Sequence, residues 1–126
     1  MRLLVAVLVV LLCGCVSTQS KKSDEEIVAE LAQKWVDELV KKDFEKAWSY
    51  TTPGYRASQS VTVFKRSVAG ALNWTDGKVR SVTCEADRCD VVTDISYSLP
   101  RFKLENTRPI ERVWIKVDGK WWLYQK

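Results

Sequence analysis

Histidine is missing altogether from these 126 residues. With it go the commonest metal ligand and the one side chain whose unperturbed pKa lies near neutrality. A basic stripe is missing too. The 20 Lys and Arg are spread along the chain against 16 Asp and Glu, for a net charge of +4. That balance reads as an ordinary solvated surface and argues against a nucleic-acid partner. No apolar run is long enough to cross a bilayer: Leu3 to Leu12 is ten residues, and a spanning helix takes roughly 20. There is no internal repeat, and the only low-complexity stretch is Val16 to Lys22. It is rich in Ser, Thr, Gln and Lys, lacks apolar periodicity, and reads as a flexible tether.

What the first fifteen residues do contain is an address. Met1-Arg2 supplies a positive start, Leu3 to Leu12 a short apolar core, and Cys13-Gly14 a small-residue close. These are the parts of a secretory signal. The ending Leu12-Cys13-Gly14-Cys15 resembles the lipobox of bacterial lipoproteins. That resemblance implies cleavage before Cys15 and lipid on its sulfur and its new amino group. With Val16 rather than Asp after the cysteine, it also implies sorting to the outer membrane, facing the periplasm. The expected organisation is a signal peptide over 1–14, a tether over 15–22 and one folded domain over 23–126. The mature 112 residues suffice for a single small core. Cys13 leaves with the signal and Cys15 takes the lipid, so Cys84 and Cys89 remain. Four residues separate them, with no further ligands nearby, which suits neither a four-ligand zinc site nor a redox pair spaced by two. A structural disulfide across a turn is the expectation, and it fits an oxidising compartment. No metal and no cofactor are expected.

Ser23-Asp24-Glu25-Glu26 has the spacing of a capping box. Ile27, Val28, Leu31, Trp35 and Leu39 follow at three- and four-residue steps, so a helix is predicted from Asp24 to Lys42. Asp43 caps a second, short helix with Phe44, Ala47, Trp48 and Thr51 on one face, stopped by Pro53-Gly54. Ser60 can cap a third, aligning Phe64, Val68, Ala71 and Leu72, although Val61-Thr62-Val63 would also suit a strand. From Lys78 the period changes to two. Strands are predicted over Lys78 to Glu85 and Arg88 to Ser98, with Cys84 facing Cys89 and Val82 facing Val91. A second hairpin runs from Arg108 to Gln125 through Asp118-Gly119, a pair favoured in type I′ turns. Its register sets Trp114 opposite Leu123 and Ile115 opposite Trp122. Helices followed by hairpins predict an α+β domain, its N-terminal helices packed on a bent antiparallel sheet.

The long amphipathic helix, the run Asp43-Phe44-Glu45-Lys46-Ala47-Trp48, Phe64 in a third helix and the closing Val117-Asp118-Gly119-Lys120-Trp121 hairpin resemble the nuclear transport factor 2-like superfamily, in particular its small lipid-anchored bacterial members. The resemblance covers about residues 24–126. It implies a cone in which a bent sheet wraps a long helix, with a mouth that often holds a ligand or an active site. Catalytic members carry an Asp or His inside the cone. Here there is no His, and Asp94 alternates with Ile95 and Tyr97 onto the wetter face with Asp90 and Ser96. No catalytic residue is therefore carried over.

In the closing hairpin both faces are apolar. One carries Val113, Ile115, Val117, Trp122 and Tyr124; the other carries Trp114, Trp121 and Leu123 among Arg112, Lys116 and Gln125. A half-buried sheet should alternate apolar with polar, so the second face must also meet something. That can be a partner, or Lys and Arg stems lying over the rings. Arg112, Trp114, Lys116 and Trp121 are accordingly the candidate interaction surface, for a protein partner or a second copy. The functional expectation is a non-enzymatic binding or assembly domain of the cell envelope, held to the membrane by its lipid. Its ligand would be a hydrophobic small molecule in the cone or a protein on the sheet. The alternatives are a small cone-fold enzyme of the isomerase or dehydratase type, and a purely structural domain. Cys15→Ala should abolish incorporation of a clickable palmitate; label retained on that variant would remove the anchor from the account.

Overall fold

The computed structural model describes Gly14 and residues 21–126. Cys15, the expected signal peptide apart from Gly14, and most of the expected tether lie outside the described residues. The first helix, α1 (Asp24–Val40), opens where expected: the Ser23 hydroxyl accepts from the Glu26 amide at 3.2 Å. It ends short of Lys42, which takes a left-handed conformation with φ of 67°. The Lys42 ammonium folds back to donate to the carbonyls of Ala71 and Trp74 at 2.7 and 2.9 Å, and its burial pulls its pKa below the ordinary lysine value. Asp43 caps α2 (Phe44–Trp48) through the Lys46 amide.

Pro53-Gly54 does not stop the helical region. It starts α3 (Pro53–Ser58), capped by Thr52, whose hydroxyl accepts from the Tyr55 amide at 3.2 Å. Proline suits the first helical turn, where its missing N–H has no intrahelical partner to lose. Ser60 caps α4 (Val61–Ser67), so the β-branched run is helical, with Phe64 fully buried beneath it. The helix then tightens into a 3₁₀ turn, Ala69–Asn73. That change of pitch leaves Ala71 inside and turns Leu72 out of the expected stripe, 54% exposed.

Four antiparallel strands follow in sequential order: β1 (Trp74–Glu85), β2 (Arg88–Leu99), β3 (Leu104–Val117) and β4 (Lys120–Leu123). Cys84 pairs with Cys89 and Val82 with Val91; Trp114 pairs with Leu123 and Ile115 with Trp122. The first turn is Ala86-Asp87, with Ala86 at φ of 52°, and the Asp87 carbonyl accepts from the Lys116 amide at 2.8 Å. Asp118 and Gly119 both have positive φ, 51° and 78°, as a type I′ turn requires. β1 and β3 begin earlier than the alternation suggested, and β4 ends at Leu123. Pro109 is accommodated because β4 reaches only Trp114–Val117, leaving that stretch of β3 as an edge. Two register shifts in β1, at Trp74/Asp76 and Val79/Ser81, bend the strand.

Helix α1 packs along β1 through Val28, Ala32, Trp35, Val36 and Leu39, all nearly or fully buried. The contact depends on Gly77: a Cβ there would lie 2.1 Å from Val36 Cγ1. Beside it, the Gln33 amide donates to the Gly77 carbonyl at 2.8 Å and accepts from the Val79 amide at 2.9 Å. One side chain thus satisfies two backbone groups on the edge of the sheet. At the other edge, Leu123 donates to the Tyr50 carbonyl and accepts from the Thr52 amide, so a parallel bridge at Thr51 covers β4. Gly77→Ala should cost about 1–3 kcal/mol by overpacking, and Val36→Ala in the same chain should recover part of it. Urea unfolding reads both; a Gly77→Ala protein as stable as its parent would contradict the close approach.

Candidate functional site

The closing hairpin has the expected register and the opposite orientation. Trp114 is fully buried and Trp121 is 6% exposed, with Leu123 buried beside them, while Trp122 is half-buried and Tyr124 is 46% exposed. The four residues expected as an exposed interaction surface, Arg112, Trp114, Lys116 and Trp121, therefore do not form one. They lie on the concave face, the one shared with Val91 and Cys89 of β2 that holds the core. The physical reason is packing, because this is the face that the helices cover. Two indoles and a leucine fill the space that the short helices leave, and Tyr50 meets Trp114 edge-on with ring centroids 6.4 Å apart. The outward ring, Trp122, lies under the guanidinium of Arg56, 4.8 Å from its centroid. An arginine does cover a tryptophan of this hairpin, on the face expected to be core.

Trp121 and Lys116 are brought together at another place. Where α1 begins, a cleft of about 760 Å³ opens between the helix, the Ser49-Tyr50 connection and the tip of the last hairpin. Ile27 and Leu31 from the half-buried flank of α1 form one wall; Tyr50 and Trp121 form the other. Lys21, Lys22, Lys116 and Lys120 stand around it. Asp24 is the one carboxylate among the lining residues, and it is already engaged. Its Oδ1 accepts from Trp121 Nε1 at 3.2 Å and lies 3.7 Å from the Lys116 ammonium. Lys116 also rests 5.8 Å from the centroid of Trp121. Lys22 is tied at 2.7 Å to Glu30, and this hydrogen bond, with the charge behind it, holds the Glu30 carboxyl below its usual range. The cleft is thus apolar within and basic at its rim.

Ile27 and Leu31 were visible in the sequence only as members of the α1 stripe. Tyr50 had no signal at all, because it sits in a connection whose path depends on the bridge to Leu123. Arg112 lies elsewhere on β3, away from the cleft lining. Asp94 is held bidentate by Arg80 on the sheet surface, as an ion-paired strand carboxylate. Cys84 and Cys89 are disulfide-bonded, their Cα atoms 4.0 Å apart. Among the described residues, no cluster of three or more His, Cys, Asp or Glu is placed to hold a metal, and no helix is long and apolar enough to cross a membrane.

An α+β domain with its helices on one face of a bent antiparallel meander is a shared architecture. This chain adopts the nuclear transport factor 2-like fold. A Campylobacter jejuni structure, provisionally named an NTF2-like transpeptidase, matches with TM-score 0.58 at 16% identity, over 77% of this chain and 96% of that one. A SEC-C motif containing protein from Rhodopseudomonas palustris matches with TM-score 0.59 at 16% identity, over 75% and 73%. A second such protein, from Psychrobacter arcticus, matches with TM-score 0.61 at 13% identity, over 86% of this chain and 63% of its own length. Similarity at this level concerns the fold. No family model and no curated protein matches the sequence. Trp114→Ala should cost about 3–5 kcal/mol of folding stability, as a buried aromatic truncation does. Denaturant unfolding measures it; a loss within about 0.5 kcal/mol, typical of a surface site, would return Trp114 to the exterior.

Proposed function

We propose that this chain is a lipid-anchored cell-envelope protein whose domain binds a small molecule with an apolar body and an anionic end, without transforming it. The observation that carries the reading is the cleft at the start of α1. Its volume of about 760 Å³ lies in the range of small-molecule sites, which are mostly apolar with a few convergent polar groups. Ile27, Leu31, Tyr50 and Trp121 offer the apolar surface, and the lysines at the rim offer the countercharge. A general base is not free there: Asp24 already carries a hydrogen bond from Trp121 and faces Lys116.

The anchor belongs to the same reading. Lipid at Cys15 and the tether to Lys22 would hold the domain close to the outer membrane on its periplasmic side, and Lys21 and Lys22 themselves line the cleft. A ligand would then be taken up within a few residues' reach of the bilayer, where amphiphilic molecules concentrate. The candidate surface around Trp114 gives no comparable support for a protein partner, since that ring is in the core.

Anilinonaphthalene sulfonate, an apolar anion whose fluorescence rises out of water, tests the site on the mature protein. The expected result is saturable binding at one site, weakened at least tenfold by Leu31→Glu, which puts a carboxylate on the half-buried apolar wall. Tenfold corresponds to about 1.4 kcal/mol. Leu31→Glu protein that melts like its parent and binds the dye equally well would overturn the proposal.

A further inference from the structure

β3 carries a second basic feature, outside the cleft and sharing none of its lining residues. Arg108, Ile110, Arg112 and Trp114 alternate onto the concave face, opposite Ile95, Thr93, Val91 and Cys89. Ile110 and Trp114 are buried there, so the two arginines stand on a face that otherwise serves the core. Over them lies the end of α4 and the 3₁₀ turn, enclosing a depression of about 380 Å³ lined also by Ser67, Ala71 and Trp74.

The charges in this depression are not balanced. Among the described residues neither Arg108 nor Arg112 has a carboxylate within ion-pair distance. Glu111, the one acidic residue lining the depression, offers Arg112 only its backbone carbonyl, at 2.9 Å. Arg112 is half-buried and donates that single hydrogen bond, out of the five N–H groups a guanidinium presents. Burial first, and then the like charge of Arg108, pull its pKa below the ordinary arginine value. A half-buried cation beside a second cation is costly to fold while no opposite charge faces it, and a bound anion would supply that charge. Ordinary packing would be served as well by a methionine.

We infer that Arg108 and Arg112 form a binding site for a phosphate group, with Trp74 beside it. Two guanidiniums match the charge of a phosphate near neutral pH, and their forked donors match its oxygens bidentately. The site is independent of the cleft and stands whether or not the cleft binds its own ligand.

Inorganic phosphate is the probe. Titrated into the mature protein at constant ionic strength, it should move the Arg112 Nε–H and Trp74 indole N–H resonances along a saturable curve that chloride does not reproduce. Arg112→Met should weaken the apparent affinity at least tenfold, and in phosphate-free buffer it should melt no lower than the parent. Arg108→Gln, at an exposed position, should weaken binding without disturbing the fold, and Arg66→Met, on α4 outside the depression, should change nothing. Phosphate shifts that match those of chloride, or unchanged affinity in Arg108→Gln, would overturn the inference. So would an Arg112→Met protein that binds phosphate as its parent does.

Discussion

At Gly77 the backbone of β1 comes so near to α1 that a single added carbon would meet Val36 at 2.1 Å. That approach decides where the long helix lies. Val28, Ala32, Trp35, Val36 and Leu39 can be buried together only if α1 runs close along the strand. Gln33 then closes the strand's edge by bonding the Gly77 carbonyl and the Val79 amide. With the helix fixed against β1, the concave space beyond it must be filled from the far side of the sheet. Trp114, Trp121 and Leu123 do so, and the hydrogen bond from Trp121 to Asp24 ties the last strand to the first turn of the helix.

The same arrangement produces the cleft. On the N-terminal flank of α1, Ile27 and Leu31 are only half covered. The hairpin tip and the Ser49-Tyr50 connection approach from the other side without closing the gap. Function in this fold is therefore sought in what the core cannot fill: an apolar cleft with a basic rim at one place, and a pair of uncompensated arginines at another.

Much of the fold was legible because short-range signals determine it. Ser23, Asp43 and Ser60 cap the helices as their side chains suggest, and Asp118-Gly119 sets the register of the last hairpin to the residue. Cys84 and Cys89 sit across a turn, as their spacing implies. The capping of α3 by Thr52 was hidden because proline reads equally well as a stop and as a start. The orientation of the last hairpin was not legible at all. Alternation identifies the buried face only when the other face is polar, and here Trp122 and Tyr124 oppose Trp114 and Trp121. The cleft escaped for a different reason: Tyr50 and Trp121 are 71 positions apart, and only the bridge at Thr51 brings their segments together.

The central claim is that a domain whose aromatic face is turned inward keeps one open apolar cleft for a ligand. Native mass spectrometry of the protein isolated gently from its own cells tests this most directly. The account predicts one bound small molecule of anionic, amphiphilic character per chain, which dissociates as a single species on activation. Protein that emerges at its bare mass, while adding anilinonaphthalene sulfonate or a long-chain carboxylate to the solution yields no one-to-one complex, would contradict it.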